Sequence, residues 1–255
     1  MDTFLTRRRS TIVAFLFAGL FLSTLFTPRA AGAQEADAAA LLNTAVERMK
    51  TVQSFRFELS TVQGTSVIMN NLELAGVKGA VQRPDRFQAT ITARVAIVDV
   101  DVQIVGIGNR LWVTDPLANR ETYIEVTKDV AGEPTVSEAL ATLVNPDKIL
   151  LTAVGLVQNP EIDGTESIDG VKTTRITGTV DFRNLPQYQQ ATPQATSDFL
   201  ALEEMPITIW IDEEGIVRSM ELEGPITADE SPDVVRRLDL SDIDEQIDIT
   251  EPVAS

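Results

Sequence analysis

Along most of this chain polar and apolar positions alternate, and elsewhere the period lengthens to that of a helix. Over residues 36–52, Leu41, Leu42, Ala45, Met49 and Val52 recur at spacings of three and four, with Glu47, Arg48 and Lys50 on the other side. That spacing predicts an amphipathic helix with one buried stripe. From Phe55 the period drops to two. Phe55, Phe57, Leu59 and Thr61 alternate with Arg56, Glu58 and Ser60, as in a strand with one wet face. The same alternation predicts strands over about residues 67–81, 87–95, 98–107, 111–114 and 122–126, with Gly108-Asn109 turning between two of them. One junction breaks the rule. The apolar positions are odd-numbered from Phe87 to Val95 and even-numbered from Val98 to Ile104, so a turn or bulge near Ala96 must absorb the change of parity.

The middle of the chain turns helical again. Residues 137–143 can form a short helix. Asn145-Pro146-Asp147 then provides an N-cap and first turn for a second one, whose Ile149, Leu150, Leu151, Val154 and Leu156 are apolar on most sides and predict deep burial. Beyond it, Asp169-Gly170 separates alternating runs at residues 161–168 and 171–180, a strong hairpin signal. Residues 183–204 are rich in Gln, Thr and Pro and read as a long loop, either a lid or binding element or a disordered insertion. Ile207, Ile209 and Ile211 alternate up to the turn Asp212-Glu213-Glu214-Gly215. Residues 216–222 return, and residues 234–240 and 246–249 are expected to finish the sheet. About ten antiparallel strands with two or three helices make an α+β fold dominated by one sheet.

The N-terminus changes the count of residues available to that fold. Arg7, Arg8 and Arg9 precede an apolar stretch from Ile12 to Phe26, and Ala31-Gly32-Ala33 stands before Gln34 as a small-residue cleavage site. The stretch spans about 15 residues, short of the roughly 20 that a helix needs to cross a bilayer. Residues 1–33 therefore read as a signal peptide cleaved after Ala33, and residues 34–255 as a single domain; the alternative is an uncleaved segment kept as an anchor. The net charge is −17, and the leader holds four arginines and one aspartate, so the remaining chain stands at about −20. Such a surface repels phosphate backbones and anionic headgroups, which excludes nucleic acid and restricts any membrane contact to hydrophobic or cation-mediated forms.

Composition also bounds the chemistry. The chain has no cysteine and no histidine. Ser-His-Asp and Cys-His centres, zinc sites ligated by either residue, disulfides and a thiol-linked lipid anchor are thereby excluded. Gly76 and Gly79 lie in a strand-rich stretch and not ahead of a helix, so they form no phosphate loop. Asp99 and Asp101 alternate with Val98, Val100 and Val102 and read as a wet strand face. The acidic run Asp239, Asp242, Asp244, Glu245 and Asp248 permits calcium but lacks the glycine and glutamate spacing of an EF-hand loop. The expectation is a protein without catalytic centre, cofactor or metal.

Several stretches together resemble the LppX/LprAFG family of mycobacterial cell-envelope lipoproteins. They are Leu41 to Leu59 (LLNTAVERMKTVQSFRFEL), Gly76 to Ile91 (GVKGAVQRPDRFQATI), Leu111 to Val113, Asn145 to Val157 (NPDKILLTAVGLV), Ile168 to Val180 (IDGVKTTRITGTV), Pro206 to Pro225 and Leu238 to Pro252. The resemblance implies a strongly curved antiparallel sheet, a half-open barrel whose concave face is covered by helices, similar to the LolA and LolB carriers. Between them it implies a cavity for the acyl chains of a lipid or lipoglycan. The expected cavity lining is Phe57, Leu59, Phe87, Ile91, Val100, Val102, Ile104, Ile207 and Ile209 on one strand face, with Trp112 and the helix residues Ile149 and Leu150. Ala33-Gln34 stands where the family carries its lipobox cysteine, so the expected product is an exported monomer, extracellular, periplasmic or at the cell surface, with the membrane surface or an envelope protein as further partner. Two other readings share the composition: a protein-binding or sensor module with a filled core, and a calcium-dependent surface protein.

Overall fold

A strand with one apolar face has to bury it, and here the alternation runs through so many strands that one broad apolar face results. The computed structural model describes residues 31–68, 72–95, 97–114, 122–126, 146–181, 204–226 and 230–253. The chain opens with α1 (Ala31–Thr51), followed by β1 (Ser54–Gln63), β2 (Val67–Ile68), β3 (Leu72–Gln82), β4 (Arg86–Val95), β5 (Val98–Ile107), β6 (Arg110–Thr114) and β7 (Tyr123–Glu125). Helix α2 (Pro146–Gly155) leads into β8 (Gln158–Ile168), β9 (Val171–Val180), β10 (Met205–Asp212), β11 (Val217–Glu223) and β12 (Val235–Ser241). Eleven of the described strands form one path in the order β7-β6-β5-β4-β3-β1-β12-β11-β10-β9-β8, with β2 beside β3. The sheet does not close: β7 and β8 are its edges. Every pairing is antiparallel.

The parity change resolves as a hairpin. Val95 stands opposite Val98, Ala93 opposite Val100 and Ile91 opposite Val102, so a two-residue connection places odd positions of β4 and even positions of β5 on one face. Asp169 and Gly170 both adopt positive φ between β8 and β9, as their turn requires. Helix α1 buries Ala38, Leu42, Ala45 and Met49 at spacings of four and three. It begins at Ala31, ahead of the predicted start, and so takes in Ala33 in an alanine-rich first part that favours helix.

Three expectations need amendment. The predicted strand 67–81 is divided into β2 and β3. Residues 246–249 do not pair in the sheet, because β12 is already flanked by β1 and β11 and leaves no edge for the chain that follows it. Ile247 and Ile249 are buried instead against Ala80, Val105 and Trp112 on the outer face. Burial of α2 is one-sided: Leu150, Ala153 and Val154 are buried, Leu151 and Leu156 half-buried, and Gly155 exposed. The predicted helix at 137–143 and most of the 183–204 loop lie outside the described residues.

Candidate functional site

The helix-covered face is built by register. Phe57 stands opposite Gly79 of β3 and Leu240 of β12, Gly79 opposite Ala89, and Ala89 opposite Ile104. Across β12 the face continues through Leu238, Met220, Ile209 and Ile176. The apolar floor thus runs unbroken from β6 to β9, and its residues join α1 and α2 in one core.

Two glycines shape that floor. A side chain at Gly79 would start 2.5 Å from the Phe57 ring and 2.4 Å from the Gln88 carbonyl oxygen; one at Gly106 would start 2.2 Å from the Phe87 ring. Both rings therefore lie flat over the neighbouring strand, in the space that a cross-strand side chain would otherwise fill, and do not stand upright from the sheet. A flat ring keeps the floor thin. Above it, Leu59, Leu74, Phe87, Val100, Val102 and Val113 are only half-buried. Helix α1 packs chiefly on β8 and on α2, toward the other half of the sheet.

The two helices are fastened at one end of the sheet by Arg83, in the turn between β3 and β4. Its Nη1 donates to the carbonyls of Met49 and Val52 at 2.5 and 2.6 Å, closing the end of α1, while Nε and Nη2 donate to Asp147 Oδ1 in the first turn of α2 at 2.9 and 2.5 Å. At the other end, buried Arg236 pairs with Glu230 and donates to Ser66 Oγ at 2.8 Å and to the Gly224 carbonyl at 3.0 Å. Burial alone would raise the Glu230 carboxyl. Hydrogen bonds from Arg236 and from the backbone N–H groups of Val67 and Ile226 outweigh it and hold its pKa below the usual glutamate value.

The sequence-predicted lining residues divide cleanly. Phe57, Ile91, Ile104, Ile207 and Ile209 are buried on the helix face, Leu59, Phe87, Val100 and Val102 are half-buried there, and Leu150 is buried on α2. Ile149 lies on the same helix. Trp112 does not belong with them. It stands opposite Val105, not Ile104, so strand alternation places it on the outer face, with Arg110 4.4 Å from its ring centre. Sequence reasoning missed Gly79 and Gly106 as shapers of the floor, although an isolated glycine in a strand pattern signals close approach.

Away from the cluster around Trp112 the outer face is polar, and several of its charged side chains are held by neighbours. It carries two open grooves of about 710 and 400 Å³, the larger lined by Arg56, Glu58, Lys78, Gln88 and Asp239 among others. Lys78 pairs with Glu58 and Arg56 with Asp242. Asp99 pairs with Arg94, and Asp101 accepts from Thr92. The acidic run is likewise occupied in holding the chain: Asp244 accepts from the Gln53 N–H at 2.6 Å and Asp239 from Ser219 Oγ at 2.6 Å.

Comparison with known proteins fits this architecture. The family model described as LppX_LprAFG lipoprotein matches residues 37–249. The chain is 25% identical to lipoprotein LprA of Mycobacterium tuberculosis over 226 residues, covering 88% of this chain and 85% of the relative. Among solved structures, LprF from Mycobacterium bovis superposes with a TM-score of 0.60 at 19% identity, covering 86% of this chain and 98% of LprF. LppX from Mycobacterium tuberculosis superposes at 0.54 and 17% identity, covering 84% and 99%. The open, helix-covered antiparallel sheet is thus the fold of LprF and LppX.

Proposed function

Because the chain belongs to the LppX_LprAFG lipoprotein family, we propose that it is an exported, non-enzymatic carrier. Its ligand is a lipid, lipoglycan or other acylated molecule, held between the helix face of the sheet and the helices. One observation carries this reading: the apolar floor is continuous from β6 to β9, yet α1 packs chiefly on the β8 side and leaves Leu59, Phe87, Val100 and Val102 half-buried. An apolar surface so placed suits a hydrocarbon chain without needing a polar motif. Each buried methylene contributes about 0.8 kcal/mol, so about ten carbons supply roughly 8 kcal/mol before ordering costs.

The test is binding of a fluorescent fatty acid to delipidated protein. The expected result is saturable binding, weakened at least about tenfold by Val102→Trp, which sets an indole on the half-buried part of the floor. The outer-face control Thr90→Trp should leave binding unchanged. Delipidated wild-type protein that takes up no probe would overturn the proposal.

A further inference from the structure

The hairpin of β4 and β5 ends in an apolar tip. Among the described residues, β6 pairs with β5 between Ile104 and Ile107, and the part of β5 from Val98 to Val102 lies beyond the last of these partners. At the tip, Val95, Ile97 and Val98 are 49%, 95% and 58% exposed. The tip lies at the opposite end of β4 from the Arg83 turn. Just behind the aliphatic tip, Arg94 pairs with Asp99 at 2.8 Å and Glu73 at 3.2 Å, so among the described residues no free cation there faces the headgroups.

We propose that this tip is a membrane-docking wedge, which inserts Ile97 and its valine neighbours into the interfacial region of a lipid bilayer. The geometry disfavours a protein partner. The apolar patch consists of three exposed side chains at a hairpin end, whereas a stable protein interface buries about 1,200–2,000 Å². Residues 86–95 and 98–107 pair with one another, so a further strand would add along the outer edge of residues 98–102 and leave the exposed Val95 and Ile97 uncovered. A bilayer needs neither a complementary surface nor a large area, only apolar groups reaching below the headgroups. With a net charge of −17 the chain is repelled by anionic headgroups, so attachment has to be hydrophobic and strongest on zwitterionic surfaces. The choice of a lipid surface as occupant rests on the carrier reading; the exposure of the tip does not.

The absence of cysteine allows a direct test. A polarity-sensitive fluorophore attached to Ile97→Cys in the full chain is mixed with phosphatidylcholine vesicles whose acyl chains carry bromine. A label on Glu213→Cys, in the turn between β10 and β11, is the reference. Because the apolar segment at residues 12–26 can itself adsorb to vesicles, quenching at each position decides, not the bound fraction. The label at position 97 should shift to the blue and be quenched, that at 213 should not, and adding Val98→Asp beside the first label should cut its quenching at least threefold. Equal quenching at both positions, none at 97, or a blue shift at 97 that grows with protein concentration without vesicles would overturn the proposal. Fatty-acid uptake by the same labelled protein separates the two readings, since it should persist if only the wedge is wrong.

Discussion

Removing the Arg83 guanidinium tests whether the helices are held on the sheet as described. Arg83→Met keeps the aliphatic stem and deletes two charged hydrogen bonds, to the Met49 carbonyl of α1 and the Val52 carbonyl just beyond it, and the ion pair to Asp147. The two side chains are 13% and 22% exposed, so solvent screens the pair only weakly. Hydrogen bonds to charged groups contribute about 1.5–3 kcal/mol each, and breaking a buried pair from one side costs about 3–5 kcal/mol. Some water reaches the freed carbonyls, which sets the expectation for Arg83→Met at about 3–4 kcal/mol. Asp147→Asn leaves the carbonyl bonds intact and should cost about 1–2 kcal/mol, with a coupling of about 1–2 kcal/mol in the double-mutant cycle. Equilibrium urea unfolding followed by far-ultraviolet circular dichroism measures all three. Hydrogen exchange should quicken at the last turn of α1 and the first of α2 before it quickens in β3. An Arg83→Met variant within 1 kcal/mol of wild type would show that packing alone holds the helices.

Three further outcomes follow from the same geometry. Gly106→Val should destabilise by about 1–3 kcal/mol through overpacking, and Phe87→Ala in the same chain should recover part of the loss, as read from urea midpoints. Glu230 has a folded pKa below its ordinary value of 4.5, so its stabilisation is complete above that pH and is lost as pH falls through the folded value. Glu230→Gln should accordingly flatten the acid side of the stability profile, and an unchanged profile would contradict the buried pairing with Arg236. Trp112 and Trp210 both lie on the outer face, so brominated fatty acids bound on the helix face should leave intrinsic fluorescence nearly unquenched.

Most of the sheet was legible because each strand buries one side only, and a period of two reports that directly. The hairpins at Gly108-Asn109, Asp169-Gly170 and Asp212 to Gly215 were legible because positive φ at a turn selects for glycine and aspartate or asparagine. Parity alone located the β4–β5 turn. Two features could not be read locally. Leu111, Trp112 and Val113 are apolar in succession, so alternation assigns no face, and only the register with β5 sends Trp112 outward. Ile247 and Ile249 alternate like a strand, yet they owe their burial to side-chain packing on an outer-face cluster, with no free sheet edge within reach. The flat rings of Phe57 and Phe87 depend on which glycine faces them across the ladder, a long-range fact that spacing along the chain does not contain.

The most direct measurement is native mass spectrometry of the protein purified from its own host, with organic extraction of whatever is bound. The carrier account predicts an added mass of one acylated molecule per chain, absent from the Val102→Trp variant. A bare polypeptide mass in gentle conditions, with no extractable lipid, would contradict it.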